Sequence, residues 1–272
     1  MFIYPCLPIP GEAPPKGAGW AHQPKWDGYR LLVAKDGDSI RLFSKGGTEW
    51  TDHLAGLAEA FLELPTLSAV LAGELCICDD RGRPNFKALH CEMRQDRPDV
   101  SRMAFFAFDI LFQNNVDLRS LTFSERQRDL KRLCGHGHVP CLYLVETFPE
   151  GGALLEWCSN YGLEGIVSKR RVSGYDIVRR TRHDLHAPLH GPGDTIITTA
   201  SDANVVRSWR EPEAGCSAHE IQSITGHRTL QMVEHYTKAA RQKRLASAAI
   251  TKLEGTGTEP ESGKLDDGSG KL

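Results

Sequence analysis

Stretches of apolar and β-branched residues along the chain predict strands separated by short polar turns. They lie at 29–34, 39–44, 68–78, 103–112, 142–148 and 165–169. Asp36-Gly37 between the first two stretches is a strong hairpin signal, because this pair suits a two-residue turn. The stretch 103–112 is almost wholly apolar, which is typical of a strand buried on both faces, and Asp109 is the acid inside it.

Helical periodicity appears between these stretches. From Thr51 to Leu64 the apolar residues recur with the i, i+3, i+4, i+7 spacing of an amphipathic helix. Further helices are predicted at 85–93, 124–134 (capped by Ser124) and 151–161. Residues 1–22, rich in Pro and Gly, predict an extended arm. The whole pattern predicts a fold that mixes β-strands with α-helices.

The composition fits a globular protein. With 272 residues, 40% of them hydrophobic, the chain can bury a core and form one large or two ordinary domains. No run of about twenty apolar residues and no signal peptide is apparent, so we expect a cytoplasmic protein with no membrane partner. The eight cysteines are then expected to be free thiols.

Charge and cysteine spacing add two weak signals. The formal net charge of -2 does not indicate nucleic-acid binding, although local basic clusters such as 169–171 could contact phosphates or simply be solvated. Cys134, His136, His138 and Cys141 place possible zinc ligands in one short segment. Their spacing matches no common zinc pattern, and a plain Gly-rich loop is the alternative.

The stretch 23–30, Gln-Pro-Lys-Trp-Asp-Gly-Tyr-Arg, concentrates the most possible chemistry. A lysine amine is a nucleophile only when deprotonated, and a free lysine with a pKa of about 10.4 is almost wholly protonated at pH 7. A reactive Lys25 therefore needs desolvation or a neighbouring cation, which Arg30 could supply. The alternative is a polar turn that leads into a strand.

Five strings follow one another along residues 1–178. They are Lys25–Arg30, Ser44–Gly47, Gly73–Leu75, Phe105–Leu111 and Glu164–Arg170. In order and approximate spacing they resemble the nucleotidyltransferase motifs of ATP-dependent DNA ligases, especially the ligase domains of bacterial end-joining repair systems. The resemblance implies an α+β fold in this segment, an ATP-grasp-like nucleotidyltransferase core with antiparallel sheets and flanking helices.

The resemblance also implies roles for single residues. Lys25 would attack the α-phosphate of ATP and hold AMP as a phosphoramidate. Asp27 and Gly28 belong to the same nucleotide-binding motif, and Arg30 would contact the ribose or the nick, which suits its fork of donors. Lys45 stands where such ligases usually carry arginine, so the charge is kept and the bidentate geometry is lost.

Four further residues complete the implied site. Glu74 and Glu164 resemble acids that hold the ribose hydroxyl or the catalytic Mg²⁺, which prefers oxygen ligands. Phe108 resembles the aromatic residue that stacks on adenine, and Lys169 the lysine that steadies the α-phosphate. The residues alone leave open Glu74 as a solvated turn acid, Phe108 as core, and Lys169 as surface charge.

The resemblance ends at about residue 178, although Ser173-Gly174-Tyr175 still resembles the approach to the next motif. Ligases of this type continue to a Trp-x-Lys-x-Lys motif and an oligonucleotide-binding barrel, and neither pattern follows here. Residues 179–211 show no clear periodicity and predict an irregular linker. Because the missing lysines would meet the triphosphate, we expect adenylylation and nick sealing to be impaired.

A second resemblance covers residues 212–252. His227 and Tyr236 match the histidine that assists phosphoryl transfer and the tyrosine nucleophile of phage-type tyrosine recombinases. The arginines of the family's His-x-x-Arg box are absent at 201–204, so we expect an inactive helical remnant. Residues 253–272, rich in Gly, Glu and Ser, predict a disordered tail.

Three functional hypotheses follow. The first is a DNA ligase adenylation domain that forms lysyl-AMP from ATP with Mg²⁺ and seals DNA ends or nicks in repair and recombination. Its partners would be double-stranded DNA and other end-joining or recombination proteins. The second is a non-catalytic, DNA-associated fusion of a ligase gene and an integrase gene. The third is an accessory fragment that docks onto a complete integrase during DNA integration.

Overall fold

A computed structural model of the chain describes residues 1–135, 139–175 and 194–200. Several predictions from the sequence lie outside these residues. They concern His136 and His138 of the cysteine–histidine segment, most of the linker, the recombinase-like fragment with His227 and Tyr236, and the tail.

Two sheets and four α-helices make up the described part of the chain. The strands are β1 (Ile9–Pro10), β2 (Trp20–Lys25), β3 (Tyr29–Asp36), β4 (Ser39–Ser44), β5 (Ser68–Ile77), β6 (Met103–Gln113), β7 (Val116–Asp117), β8 (Leu142–Leu144), β9 (Gly165–Arg170) and β10 (Thr195–Thr199). The helices are α1 (Ala55–Phe61), α2 (Phe86–Glu92), α3 (Phe123–Cys134) and α4 (Gly151–Tyr161), and a 3₁₀ turn spans Val100–Arg102.

The larger sheet has the strand order β4-β3-β5-β6-β7, with β8 paired to β6 in parallel. The smaller sheet has the order β1-β10-β9-β2, in which only the β1–β10 pair is parallel. The chain passes from the smaller sheet to the larger one between Lys25 and Tyr29. The Lys-x-Asp-Gly segment therefore connects the two sheets.

Apolar side chains cover both faces of the larger sheet. On β3, Leu31 and Val33 pack into the cluster that contains α1 and α3, whereas Leu32 packs with Phe43 and Leu111 on the opposite face. All three β3 residues are fully buried. Burial on both faces explains why the sheet strands read as nearly continuous apolar runs.

Most predicted elements are confirmed, including the β3–β4 hairpin and the helices α2 and α4. The predicted helix from Thr51 to Leu64 is shortened to Ala55–Phe61. The predicted cap Ser124 is wrong, because the cap lies two residues earlier, at Thr122, which forms a reciprocal capping box with Glu125. The predicted strand 142–148 is limited to Leu142–Leu144.

Two segments predicted to be irregular contain strands. Trp20–Lys25, whose first residues fall within the predicted arm, forms β2 and pairs with β9. Thr195–Thr199, within the predicted linker, forms β10 on the other side of β9. Both pairings are long-range, so the partner that stabilises each strand is not visible in the local sequence. None of the helices in the described residues is long and apolar enough to cross a membrane.

Candidate functional site

A cleft of about 620 Å³ contains most of the sequence-predicted site residues. One part of its wall comes from the smaller sheet, with Lys25 on β2, Lys169 on β9 and Ile197 on β10. The other part comes from the larger sheet, with Arg30 on β3 and Glu74 on β5. Gly28, Lys45 and Phe108 also line the cleft. The fold thus brings together residues that are far apart in sequence.

Lys25 forms an ion pair with Glu164 at the end of the smaller sheet. Lys25 is the last residue of β2 and pairs in register with Gly165, which places the preceding Glu164 beside it. The Lys25 side chain is 23% exposed and that of Glu164 is 40% exposed, so both groups reach solvent. Gly165 has φ +155°, and a Cβ there would lie 2.2 Å from the carbonyl oxygen of Thr198 on β10. Glycine at this position therefore permits the close approach of β10.

Asp27 and Gly28 shape the connection between the two sheets. A Cβ on Gly28 would lie 2.2 Å from the carbonyl oxygen of Leu75, so only glycine lets this segment pass so close to β5. Burial raises the pKa of the Asp27 carboxyl, and the nearby Glu164 raises it further, while Lys25 opposes the shift. Asp27 is therefore part of the Lys25–Glu164 charge cluster.

Arg30 and Glu74 pair across neighbouring strands of the larger sheet. They are register partners on β3 and β5, and Arg30 Nε donates to Glu74 Oε2 over 3.2 Å. The Arg30 guanidinium also lies 4.4 Å from the centroid of the Phe108 ring. Burial raises the pKa of Glu74, the charge of Arg30 lowers it, and Glu164 raises it. Glu74 lies within a strand and its side chain is 16% exposed, so its reading as a solvated turn acid is wrong.

Lys169 is a buried cation that lines the cleft. Its Nζ lies 4.8 Å from the ring centroid of Phe108 and 4.6 Å from that of Phe123, and it donates to the carbonyl oxygen of Phe108 over 3.3 Å. Burial lowers the pKa of Lys169 to about 8, although Asp109 raises it. The reading of Lys169 as surface charge is therefore wrong. Phe108 is partly buried and lines the cleft, so it is not simple core.

A buried ion pair between Asp109 and Arg126, which was not predicted from the sequence, lies beside Lys169. Each side chain is 2% exposed, and Arg126 Nε and Nη2 contact the two Asp109 oxygens at 2.8 and 3.1 Å. The signal was present: Asp109 interrupts an apolar run, and Arg126 lies on the same face of α3 as Phe123 and Leu130. A buried charge needs a partner of opposite sign. The acid in the apolar strand and the arginine on the apolar face of the helix therefore predict an ion pair.

The remaining candidates differ in their contacts. Lys45 is exposed in the turn after β4 and lines the cleft. Within the basic cluster 169–171, Arg170 pairs with Asp194, and Arg171 Nε donates to the carbonyl oxygen of Trp20. With Lys169, all three cluster residues therefore have contacts within the protein.

The donor set of the cleft fits a magnesium ion that is shared with a phosphate ligand. Within the described ranges no group of three or more His, Cys, Asp or Glu side chains is placed to enclose a metal. Glu74 lines the cleft, Glu164 is paired with the cleft residue Lys25, and the charge of Glu164 raises the pKa of Glu74. Mg²⁺ commonly binds one or two carboxylates and completes its shell with phosphate and water, which agrees with this arrangement.

Comparison with known proteins identifies the family. The model of the ATP dependent DNA ligase domain matches residues 14–185. The chain belongs to this family. This match confirms the ligase-like resemblance of the first segment. Two solved ligase structures confirm the predicted α+β fold class. The recombinase resemblance of residues 212–252 lies outside the described residues and stays a prediction.

Similar proteins include multifunctional end-joining proteins. The non-homologous end joining protein LigD of Pseudomonas aeruginosa is 33% identical over 175 residues, which cover 64% of this chain and 20% of that protein. LigD of Mycobacterium tuberculosis H37Rv is 34% identical over 166 residues, which cover 61% of this chain and 21% of that protein. The chain thus spans about a fifth of the length of these relatives. The SPbeta prophage-derived DNA ligase-like protein LigB of Bacillus subtilis is 26% identical over 213 residues, which cover 77% of this chain and 76% of that protein.

Solved ligase structures share the fold. Mycobacterial DNA ligase D complexed with ATP and MES has a TM-score of 0.53 and 26% identity, and the match covers 71% of this chain and 60% of that one. The ligase domain of M. tuberculosis LigD also has a TM-score of 0.53 and 26% identity, with 70% and 60% coverage.

Proposed function

We propose that this chain is an ATP-dependent DNA ligase adenylation domain in which the cleft binds ATP and Lys25 accepts AMP. The observation that carries the proposal is the position of Lys25: a partly exposed amine at the edge of a cleft that also holds Arg30, Lys45 and Lys169. A nucleophilic amine beside several cations suits attack on a polyphosphate, because the cations stabilise the charge that develops on phosphorus.

The proposed reaction is a displacement at the α-phosphorus. The deprotonated Nζ of Lys25 attacks, a P–N bond forms, and the bond to the bridging oxygen breaks so that pyrophosphate leaves with the electron pair. Glu164, ion-paired to Lys25, holds the amine in place, and the amine proton is released to the solvent that the partly exposed Lys25 side chain reaches. Lys169 offsets the charge on the α-phosphate.

Other residues would hold the nucleotide and metal. Glu74 and Glu164 are the proposed Mg²⁺ ligands, and a bound Mg²⁺ supplies charge neutralisation for the phosphates. Arg30 would contact the ribose or the nick. Phe108 is proposed to stack on adenine. Arg30 and Lys169 already contact the Phe108 ring, so a base stacked there would lie beside both cations. Asp27, Gly28 and Lys45 complete the proposed nucleotide-binding set.

We further propose that the adenylate is passed to double-stranded DNA at nicks or ends, as in end-joining repair, and that this reaction is impaired. The relatives named for non-homologous end joining support the DNA substrate. The residues of β10 that line the cleft, Thr195 and Ile197, carry no charge. They therefore contribute no cation to the binding of a triphosphate.

Labelling with ATP tests the proposed function. Incubation of the full-length protein with α-labelled ATP and Mg²⁺ is expected to give label that stays on the protein in SDS, because a phosphoramidate is covalent. Chelation of Mg²⁺ by EDTA should suppress the label, since the phosphate charge is then not neutralised. A wild-type protein that remains unlabelled at saturating ATP would remove the enzymatic hypothesis and favour the non-catalytic fusion.

Nucleotide affinity is expected to fall as the pH rises through about 8. The pKa of Lys169 is lowered to about 8, so its amine is charged below that pH and neutral above it. Because hydrogen bonds to charged groups contribute about 1.5–3 kcal/mol, the Kd for AMP should rise about tenfold or more between about pH 7 and pH 9.5. Calorimetric titration with AMP measures this change.

The matched control for this pH dependence is Lys169→Arg. Arginine stays protonated over the whole range, so the variant should lose most of the pH dependence even if its affinity differs. An equal Kd of the wild type at both pH values would show that Lys169 does not bind the phosphate.

A further inference from the structure

The carboxylate of Asp109 is almost completely occupied by donors other than Lys169. Arg126 Nε and Nη2 donate to its two oxygens, and the N–H of Ile110 donates to Oδ1 over 3.0 Å. Arg126 Nη1 also donates to the carbonyl oxygens of Leu121 and Ser173, over 2.6 and 3.3 Å. The Arg126 guanidinium is therefore hydrogen-bonded through all three of its nitrogens, and these contacts fix the position of the Asp109 carboxylate.

Lys169 lies next to this pair without joining it closely. Its Nζ is 3.8 Å from Asp109 Oδ2, beyond hydrogen-bond distance, and its hydrogen bond goes to the carbonyl oxygen of Phe108 instead. Lys169 also lines the cleft. If both Asp109 oxygens were open, a buried ammonium this close would be expected to form a direct charged hydrogen bond to one of them.

We propose that Arg126 is a positioning residue for Lys169: by holding both oxygens of Asp109, it keeps the Lys169 amine directed into the cleft rather than bound to the carboxylate. The contact of that amine with a nucleotide phosphate rests on the proposed function. The position of the amine relative to Asp109 does not.

Four charged or titratable groups face Lys169 from the elements around it. Arg126 on α3 and Arg30 on β3 lower its pKa in addition to burial, whereas Asp109 on β6 and Cys6 in the N-terminal segment raise it. Loss of the Arg126 fork has two effects in the same direction. It removes a like charge, and it frees carboxylate oxygens for Lys169 to approach.

The test compares Arg126→Gln and Arg126→Lys with the wild type. In Arg126→Gln the pKa of Lys169 should rise by about one unit or more, the size expected when a nearby like charge is lost and an acid is freed. Arg126→Lys keeps a charge but can bind one Asp109 oxygen only, so its shift should be upward and smaller. Arg128→Gln, at an exposed arginine of the same helix, is the control and should leave the pKa unchanged.

The pKa is measured by trace acetylation of the full-length protein across pH, with the modified Lys169 peptide quantified by mass spectrometry. This readout needs no ATP, so it stays valid if the wild type fails to form lysyl-AMP. Circular dichroism shows which variants are folded. If Arg126→Gln does not fold, the Lys169 pKa in Arg126→Lys tests the proposal. Unchanged Lys169 titration in the folded variants would overturn the positioning role, because a purely structural arginine would affect stability alone.

Discussion

Replacement of Lys25 by alanine is expected to reduce covalent labelling by α-labelled ATP to background. The amine at Lys25 is the proposed acceptor of AMP, and the removal of a nucleophile cannot be compensated by the surrounding cations. The ion pair with Glu164 is partly exposed, so its loss should cost no more than about 1 kcal/mol of stability. The measurement is autoradiography of the SDS-treated full-length protein.

Two companion variants make this result specific. Lys25→Arg keeps a cation for Glu164 but has no nucleophilic amine, and it should also remain unlabelled. Lys131→Ala removes a lysine that is 67% exposed on α3, and it should be labelled like the wild type. Label that persists in both Lys25 variants would place the acceptor at another residue.

The sequence predicted the fold best where the signal is local. The Asp36-Gly37 turn specifies the β3–β4 hairpin by its own backbone preferences. Helix α2 was predicted at 85–93 and forms at Phe86–Glu92, where the side chain of Asn85 accepts a hydrogen bond from the N–H of Ala88 and caps the first turn. One boundary failed although its signal is also local: Thr122 rather than Ser124 caps α3, because Glu125 three residues later completes the capping box.

Long-range pairing explains what the sequence could not predict. β10 is a short run of Thr and Ile whose only sequence signal is β-branching, and it becomes a strand because β9 offers an edge and Gly165 a close approach. The division into two sheets was equally hidden. Nothing in the Lys-x-Asp-Gly string indicates that β2 and β3 separate there, although this separation places Lys25 at the cleft.

The candidate site shows the same limit. Arg30 and Glu74 were each singled out, but their pairing depends on the β3–β5 register. The Asp109–Arg126 pair was missed because no local pattern joins an acid within a strand to a base on a helix. Several cleft cations contact acids: Lys25 with Glu164, Arg30 with Glu74, and Arg126 with Asp109. A nucleotide would therefore have to compete with carboxylates for the first two of these, and a shared Mg²⁺ would reduce that competition.

The largest effect on stability is expected from Asp109→Ala. This substitution leaves the Arg126 guanidinium buried without its counter-ion, and the breaking of a buried ion pair in this way costs about 3–5 kcal/mol. Lys169 also loses the acid that partly compensates its charge. The free energy of unfolding, from urea titration of the full-length protein followed by circular dichroism, measures the loss.

The same chain provides a matched comparison. Asp117→Ala breaks the pair with Arg119, in which the aspartate side chain is 49% exposed, and it should cost no more than about 1 kcal/mol. The double substitution Asp109→Leu with Arg126→Met removes both buried charges and should recover most of the stability that the single variant loses, because well-packed apolar residues can replace a buried pair. If Asp109→Ala and Asp117→Ala lost equal stability, burial would not be what makes the Asp109–Arg126 pair important. A double variant as unstable as Asp109→Ala would instead show that the hydrogen bonds of Arg126 to Leu121 and Ser173 carry the larger part of the stabilisation.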